Sequence, residues 1–505
     1  MNRRFTLSPL LILGLVNFLI VGELISGTSP YFVGMMAIAV VSICLIYNLL
    51  GGLGTIGGIA FTSLALNSLI VSQFAKAAMF EAADLNLRAP DLTISVYAVF
   101  YFSLLVGTFL FGWIRLQLPK PLEPTSSSHS TTLYIFSLAL GFLGAFALSA
   151  SEIAGAQAQA SIGHGFARAF AYLLPFSLVL AVDRRIRTTE GRSCFGWAAL
   201  WPCIAMGFFS FLTAGRTELL EGPLIVAITC YLRGYRFRRK HYLAGAALIA
   251  VFFLFISPYY LWSRGWRNEE HSFGAETAVM TDLLLSAPSH WESIRETILS
   301  ETEHASQYGG EYFSRAGTVT VNRFALIVDD GALIEACSHG FHYGIPIVES
   351  DLLSAFPHLL HRGDETLGET IWFRASIAGL QSSDAPNSFI TMTGIADSYG
   401  AFGWLGVIFF PLLVIPAVFV VYDSIFDPSR PWGTVAVATV IFQIIPASIG
   451  SMIGSVLIMT PVYLLTISWF IGWAARVFPF GENTRQIRHP GVFSSPAIRS
   501  SVSTD

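Results

Sequence analysis

The chain has 505 residues, of which 53% are hydrophobic and only 12% charged. Soluble domains carry roughly 25% charged residues, so this composition defines an integral membrane protein. It excludes a soluble enzyme and a disordered scaffold, and it argues against a partner made of nucleic acid. The net charge of −4 means little as a total because the charges are unevenly placed.

A bilayer-spanning helix needs about 20 mostly apolar residues. In chain order the hydropathy predicts spans at about 8–26, 31–50, 53–72, 93–114, 132–150, 168–182, 194–213, 218–232, 242–261, 402–422, 432–450 and 452–475. The sixth and eighth are short, and Pro446 and Pro461 are candidate breaks in the last two. Arg3 and Arg4 precede the first span, but no small-residue cleavage site follows it, so it reads as a retained helix. The expected fold class is thus an all-α polytopic membrane protein of about twelve helices.

Lysine and arginine in the loops give the orientation. With the N-terminus in the cytoplasm, 18 of the 29 basic residues fall inside. Four fall in short outside segments: Lys76, Arg88, Arg168 and Arg216. Both termini are then cytoplasmic. The chain divides into an N-terminal bundle (1–261), an outside segment (262–401), C-terminal helices (402–476) and a tail (477–505) whose Ser, Arg and Pro content reads as disorder.

The outside segment holds 19 of the 33 acidic residues and 7 of the 11 histidines. Ser289-His290-Trp291-Glu292 reads as a capping box opening a helix through about Leu299. Val321, Phe324, Ala325 and Val328 fit a second helix from about Thr318 to Cys337. Gly340, Gly344, Pro346 and Pro357 mark turns. A mainly helical outside domain follows.

The sequence contains no phosphate-binding Gly-x-x-x-x-Gly-Lys-Ser/Thr loop and no His-Glu-x-x-His zinc helix. It has no Asp-x-Asp pair, the nearest being Glu349-Ser350-Asp351. Five cysteines show no pairing or metal-binding pattern. Neither a metal nor another cofactor is expected. Any reaction outside the cytoplasm must therefore draw its energy from the substrate or an ion gradient.

Arg216 lies in an outside turn, Thr213-Ala214-Gly215-Arg216-Thr217-Glu218. It is either an ion-pair partner of Glu218 or Glu221 or a planar fork offered to phosphate. Arg264 and Arg267 flank Trp266 after the ninth span and are either interfacial anchors or diphosphate ligands. Arg323 has apolar neighbours, and Arg315 precedes it. His339 and His342 lie in a glycine-flanked stretch, where an imidazole titrating near neutrality suits a general base better than a metal ligand. Glu349, Asp351 and Asp364 are alternative bases, and Glu23 is an acid within the first span.

Three segments stand out together. The first is Ala214-Gly215-Arg216-Thr217-Glu218-Leu219-Leu220. The second is Val321-Asn322-Arg323-Phe324-Ala325-Leu326, then His342-Tyr343-Gly344 and Phe356-Pro357-His358. The third is Ala385-Pro386-Asn387-Ser388 followed by Gly394 to Gly406. Together they resemble bacterial oligosaccharide repeat-unit polymerases, the Wzy-type O-antigen and exopolysaccharide polymerases, and the chain departs from that family's pattern at Pro357-His358 and Arg362-Gly363-Asp364.

The resemblance implies a substrate oligosaccharide on undecaprenyl diphosphate at the outer face of the inner membrane, with membrane lipid, a chain-length regulator and a flippase as partners. A hydroxyl of one repeat would attack the anomeric carbon of the growing chain, and the lipid diphosphate would leave. Such enzymes are regarded as metal-independent. Arg216, Arg323, Arg264 and Arg267 would then hold the diphosphate, and His339, His342 or Glu349 would act as base. An O-antigen ligase and a secondary transporter are the rival expectations.

Overall fold

The computed structural model describes residues 6–122, 130–153, 162–213, 219–264, 273–294, 296, 312–313, 325–356, 373–380 and 392–477. All regular secondary structure among them is helical. The N-terminal helices are α1 (Pro9–Ile25), α2 (Pro30–Leu49), α3 (Ile56–Met79), α4 (Pro90–Phe111), α5 (Ser130–Ile153) and α6 (Gly165–Thr188). Then come α7 (Trp197–Thr213), α8 (Glu221–Leu232), α9 (Arg239–Ile256), α10 (Ser257–Arg264) and α11 (Phe273–Ser286). The remainder are α12 (Leu326–Ser338), α13 (Gly344–Ser354), α14 (Gly394–Phe402), α15 (Trp404–Ile425), α16 (Pro431–Ile444) and α17 (Ile449–Ala474).

Among the described residues eight helices are long and apolar enough to cross a bilayer: α2, α3, α4, α5, α6, α9, α15 and α17. Helices α1, α7, α8 and α16 are apolar but shorter. The chain is a multi-pass membrane protein.

The helix starts follow from local chemistry. Proline opens α1, α2, α4 and α16, where its missing N–H costs nothing. The Ser8 and Ser29 hydroxyls cap α1 and α2 by accepting from Leu11 N and Phe32 N, each at 3.2 Å. The α3 N-terminus is held by another helix: Asp423 Oδ1 on α15 accepts from Ile56 N (2.9 Å) and Gly57 N (3.1 Å). A carboxylate there satisfies free N–H groups and complements the helix dipole. A Cβ on Gly57 would lie 2.8 Å from Phe419 Cβ, so only glycine permits this approach. The aromatic core includes Trp432 stacked on Phe176, with centroids 3.9 Å apart.

Several expectations need correction. Helix α3 runs beyond residue 72 to Met79, so Lys76 lies in its last turn and is fully buried rather than in a loop. Pro446 does fall in a break, between α16 and α17. Pro461 does not break α17, because the helix widens into a π-helical stretch, Met452–Met459, just before it. Ser289 does not cap a helix: its hydroxyl donates to Ser286 O at 2.6 Å, and helical residues begin at 291. The second outside helix is α12; Val321 and Phe324 lie outside the described residues. Gly340 and Gly344 adopt the expected positive φ (+92° and +65°), but Pro346 sits inside the first turn of α13 rather than in a turn. Pro357 lies outside the described residues.

Helix α12 packs on α4 and α14. Helix α13 lies across the start of α17, where a Cβ on Gly450 would be 2.2 Å from Val348 O and one on Gly454 2.6 Å from Ala355 Cβ. These contacts bring α12, α13 and α14 onto the bundle.

Candidate functional site

Arg374, on a helical turn at 373–377, is buried between two carboxylates. Its Nη2 pairs with Asp351 Oδ2 on α13, and its Nε lies 2.6 Å from Asp397 Oδ1 on α14. Asp397 Oδ1 also accepts from the Tyr343 hydroxyl at 2.5 Å, and Oδ2 from Ile449 N, the first residue of α17, at 2.7 Å. Arg88 Nη1 donates to Ala378 O (2.9 Å), fixing the turn that carries Arg374. Burial, then the Asp397 charge, raises the Tyr343 hydroxyl well above the usual tyrosine range, so it remains a donor. Among the described residues one cation faces two anions here. The added N–H and O–H donors and the α17 N-terminus offset the difference. Arg374 is thus ion-paired to both carboxylates, although its Nε meets Asp397 Oδ1 without hydrogen-bond geometry.

A second acid adjoins this network. Asp330 on α12 is fully buried. Its Oδ1 accepts from Thr393 N (2.8 Å), and its Oδ2 accepts from Thr393 Oγ1 and the Tyr97 hydroxyl of α4, each at 2.5 Å. Thr393 caps α14 in turn by accepting from Ile395 N at 3.1 Å. Burial pushes the Asp330 carboxyl up to about 6 despite these donors. Its neighbour Asp329 is half-buried and is pushed to about 7 by burial, then by the Asp330 charge.

The three base candidates are described and all exposed. His339 follows the C-terminus of α12, and Glu349 lies on the outward face of α13. The His342 ring packs edge-on to Tyr399, with centroids 5.9 Å apart, and covers Gly403, the positive-φ link between α14 and α15. Among the described residues no hydrogen bond or ion pair joins the three to one another. Arg216, Arg267 and Arg323 lie outside the described residues, and Arg264 is the last residue of α10.

The sequence reading missed Arg374 and Asp330. The signal for Arg374 was a lone charge within the apolar run Ile371-Trp372-Phe373-Arg374-Ala375. Asp330 stands among apolar residues with Asp329, yet nothing in the sequence names Tyr97 as its partner.

A third buried polar group ties the ends of α1 and α3 together. Lys76 Nζ lies 3.2 Å from Glu81 Oε2 and 4.4 Å from the Tyr312 ring centroid. The Tyr312 hydroxyl donates to Ala83 O (2.8 Å) and accepts from Gln73 Nε2 (3.0 Å). Glu23 Oε2 accepts from Thr28 Oγ1 (2.7 Å) and Ala83 N (3.0 Å), which supplies the partners its sequence context could not name.

Among the described residues no group of three or more His, Cys, Asp or Glu is placed to hold a metal ion. The fold and site define an all-helical polytopic membrane protein with a buried carboxylate–arginine network near the start of α4, α15 and α17. Compared with family models, curated protein sequences and solved structures, the chain matches none.

Proposed function

We propose that this protein joins undecaprenyl-diphosphate-linked oligosaccharide repeat units into a cell-surface polysaccharide at the outer face of a bacterial inner membrane. On this reading it has about twelve spans, cytoplasmic termini and the 262–401 segment outside. One observation carries the proposal. Two of the sequence segments that resemble the polymerases form one packed unit: Tyr343 N donates to Gly400 O (3.2 Å) and Tyr343 Oη to Asp397, while His342 covers Gly403. Residues 54 apart in sequence thus meet where α13 and α14 pack together.

The chemistry suits the residue types. A departing diphosphate needs fixed positive charge, which Arg216, Arg323, Arg264 and Arg267 can supply without a metal. The attacking hydroxyl needs a proton acceptor within hydrogen-bond reach, for which the sequence offers His339, His342 and Glu349. Purified protein in liposomes is expected to lengthen lipid-linked repeats with chelator present and no nucleotide added. Deletion should leave single repeats on the final acceptor. Long chains accumulating on the lipid carrier would instead indicate a ligase. Lost solute uptake with unchanged polysaccharide would indicate a transporter. Either result overturns the proposal.

A further inference from the structure

Three segments distant in sequence converge at the end of the bundle where α6, α8 and α15 finish and α7, α9 and α16 begin. Asp183 joins two of them: its Oδ1 accepts from Arg233 Nε at 2.6 Å, and its Oδ2 lies 2.9 Å from Arg187 Nη2. Arg233 Nη1 donates to Ser429 O, which brings in the third. The Tyr235 hydroxyl also meets the Cys194 thiol. Helix α15 runs 22 residues, from Trp404 to Ile425, so at the α-helical rise this end lies roughly 30 Å from Asp397.

Across 183–192, 233–240 and 427–430 there are ten lysines and arginines against three acids, Asp183, Glu190 and Asp427. Asp183 is engaged by Arg187 and Arg233. All ten cations except Arg233 are exposed. Basic loops are common on the cytoplasmic side of a membrane protein; here packing gathers three of them onto one face. Arg238, Arg239 and Lys240 open α9, whose first turn holds no acid. Positive charge there opposes the helix dipole, so helix stability does not account for these cations. Exposed aromatic side chains rim the face: Trp197 is 80% exposed, Trp201 60% and Tyr242 67%. Such rings, apolar with one polar edge, settle at the level of lipid headgroups.

We infer that this face binds anionic phospholipid headgroups of the adjoining leaflet. Clustered cations at helix ends attract such lipids, and the aromatic rim sets the patch at headgroup depth rather than out in water. The chain's own tail does not suit the face, because 477–505 carries three arginines against two acids. A soluble polyanion would make no use of the aromatic rim. Headgroup binding at this end does not depend on the polymerase reading.

The test uses full-length protein in phosphatidylcholine liposomes that contain a photo-crosslinking phosphatidylglycerol, with a photo-crosslinking phosphatidylcholine for comparison. Mass spectrometry maps the adducts. The phosphatidylglycerol probe should label peptides within 184–201 and 231–242 about tenfold more than the phosphatidylcholine probe. High salt should remove that excess, because exposed charges are screened. The combined variant Arg236→Gln, Arg238→Gln, Arg239→Gln and Lys240→Gln should lose about tenfold or more of the phosphatidylglycerol labelling while eluting as wild type does on size exclusion. Equal labelling of wild type by the two probes, or adducts spread evenly over all helix ends, would overturn the proposal; both are read without the variant and so hold where it fails to fold. A folded variant labelled like wild type would also overturn it. At matched ionic strength, inorganic phosphate and duplex DNA should leave the labelling unchanged. Loss of labelling to either would assign the face to a soluble anion and sink the lipid.

Discussion

Tyr343 donates to Asp397 Oδ1 at 2.5 Å, and the same oxygen lies 2.6 Å from Arg374 Nε. One carboxylate oxygen thus joins the α12–α13 turn, the 373–377 turn and α14, while the other oxygen caps α17. Removing Arg374 leaves two buried carboxylates without this cation.

Arg374→Ala should destabilise the protein by about 3–5 kcal/mol, because two buried carboxylates lose their cation. Replacing Arg374 by Met together with Asp351→Asn and Asp397→Asn should recover much of that loss. Thermal unfolding in detergent, followed by size-exclusion chromatography, measures both. Equal stability of the single variant and wild type would show that the ion pairs contribute nothing.

Asp329 and Asp330 have carboxyls at about 7 and about 6 against an ordinary 3.8. A raised value in the folded state means that the folded protein binds the extra proton. Their contribution to stability is full below about pH 4 and is lost as pH rises through about 6 and 7. Thermal midpoints should fall across that window, and Asp330→Asn should flatten the part near 6. A slope unchanged in the variant would contradict the assignment.

Sidedness can be read with single cysteines in a background where the five native thiols are Ser. Ser338→Cys and Arg238→Cys are both at exposed positions. An impermeant maleimide added to cells with a permeabilised outer membrane should label position 338 only. Labelling of 238 alone would invert the orientation given by the basic loops.

Arg216→Lys and Arg323→Lys keep the charge but lose the planar two-pronged fork. Both should cut chain growth at least tenfold at normal protein levels, assayed by polysaccharide length on gels. Full activity would mean the arginines are structural.

Hydropathy located the main helices because a bilayer tolerates an unpaired backbone so poorly that each span must form its own apolar helix. The glycines at 340 and 344 likewise announced a turn through their backbone freedom. Helix ends were less legible: α3 carries Lys76 four residues past its expected limit, because Glu81 and the Tyr312 ring compensate the charge there. Pro461 looked like a break, but the preceding π-helical stretch accommodates it.

Composition and local hydropathy were enough to define a helical membrane protein, because they act through neighbours only a few residues away. The sequence also displayed Tyr343 and Asp397 as parts of separate resembling segments. Tertiary packing makes these two meet, pairs Arg374 with Asp351 and Asp397, and ties Asp330 to Tyr97. Those pairings span 23 to 233 residues of chain. They depend on which helix faces pack together, and no local pattern records that choice.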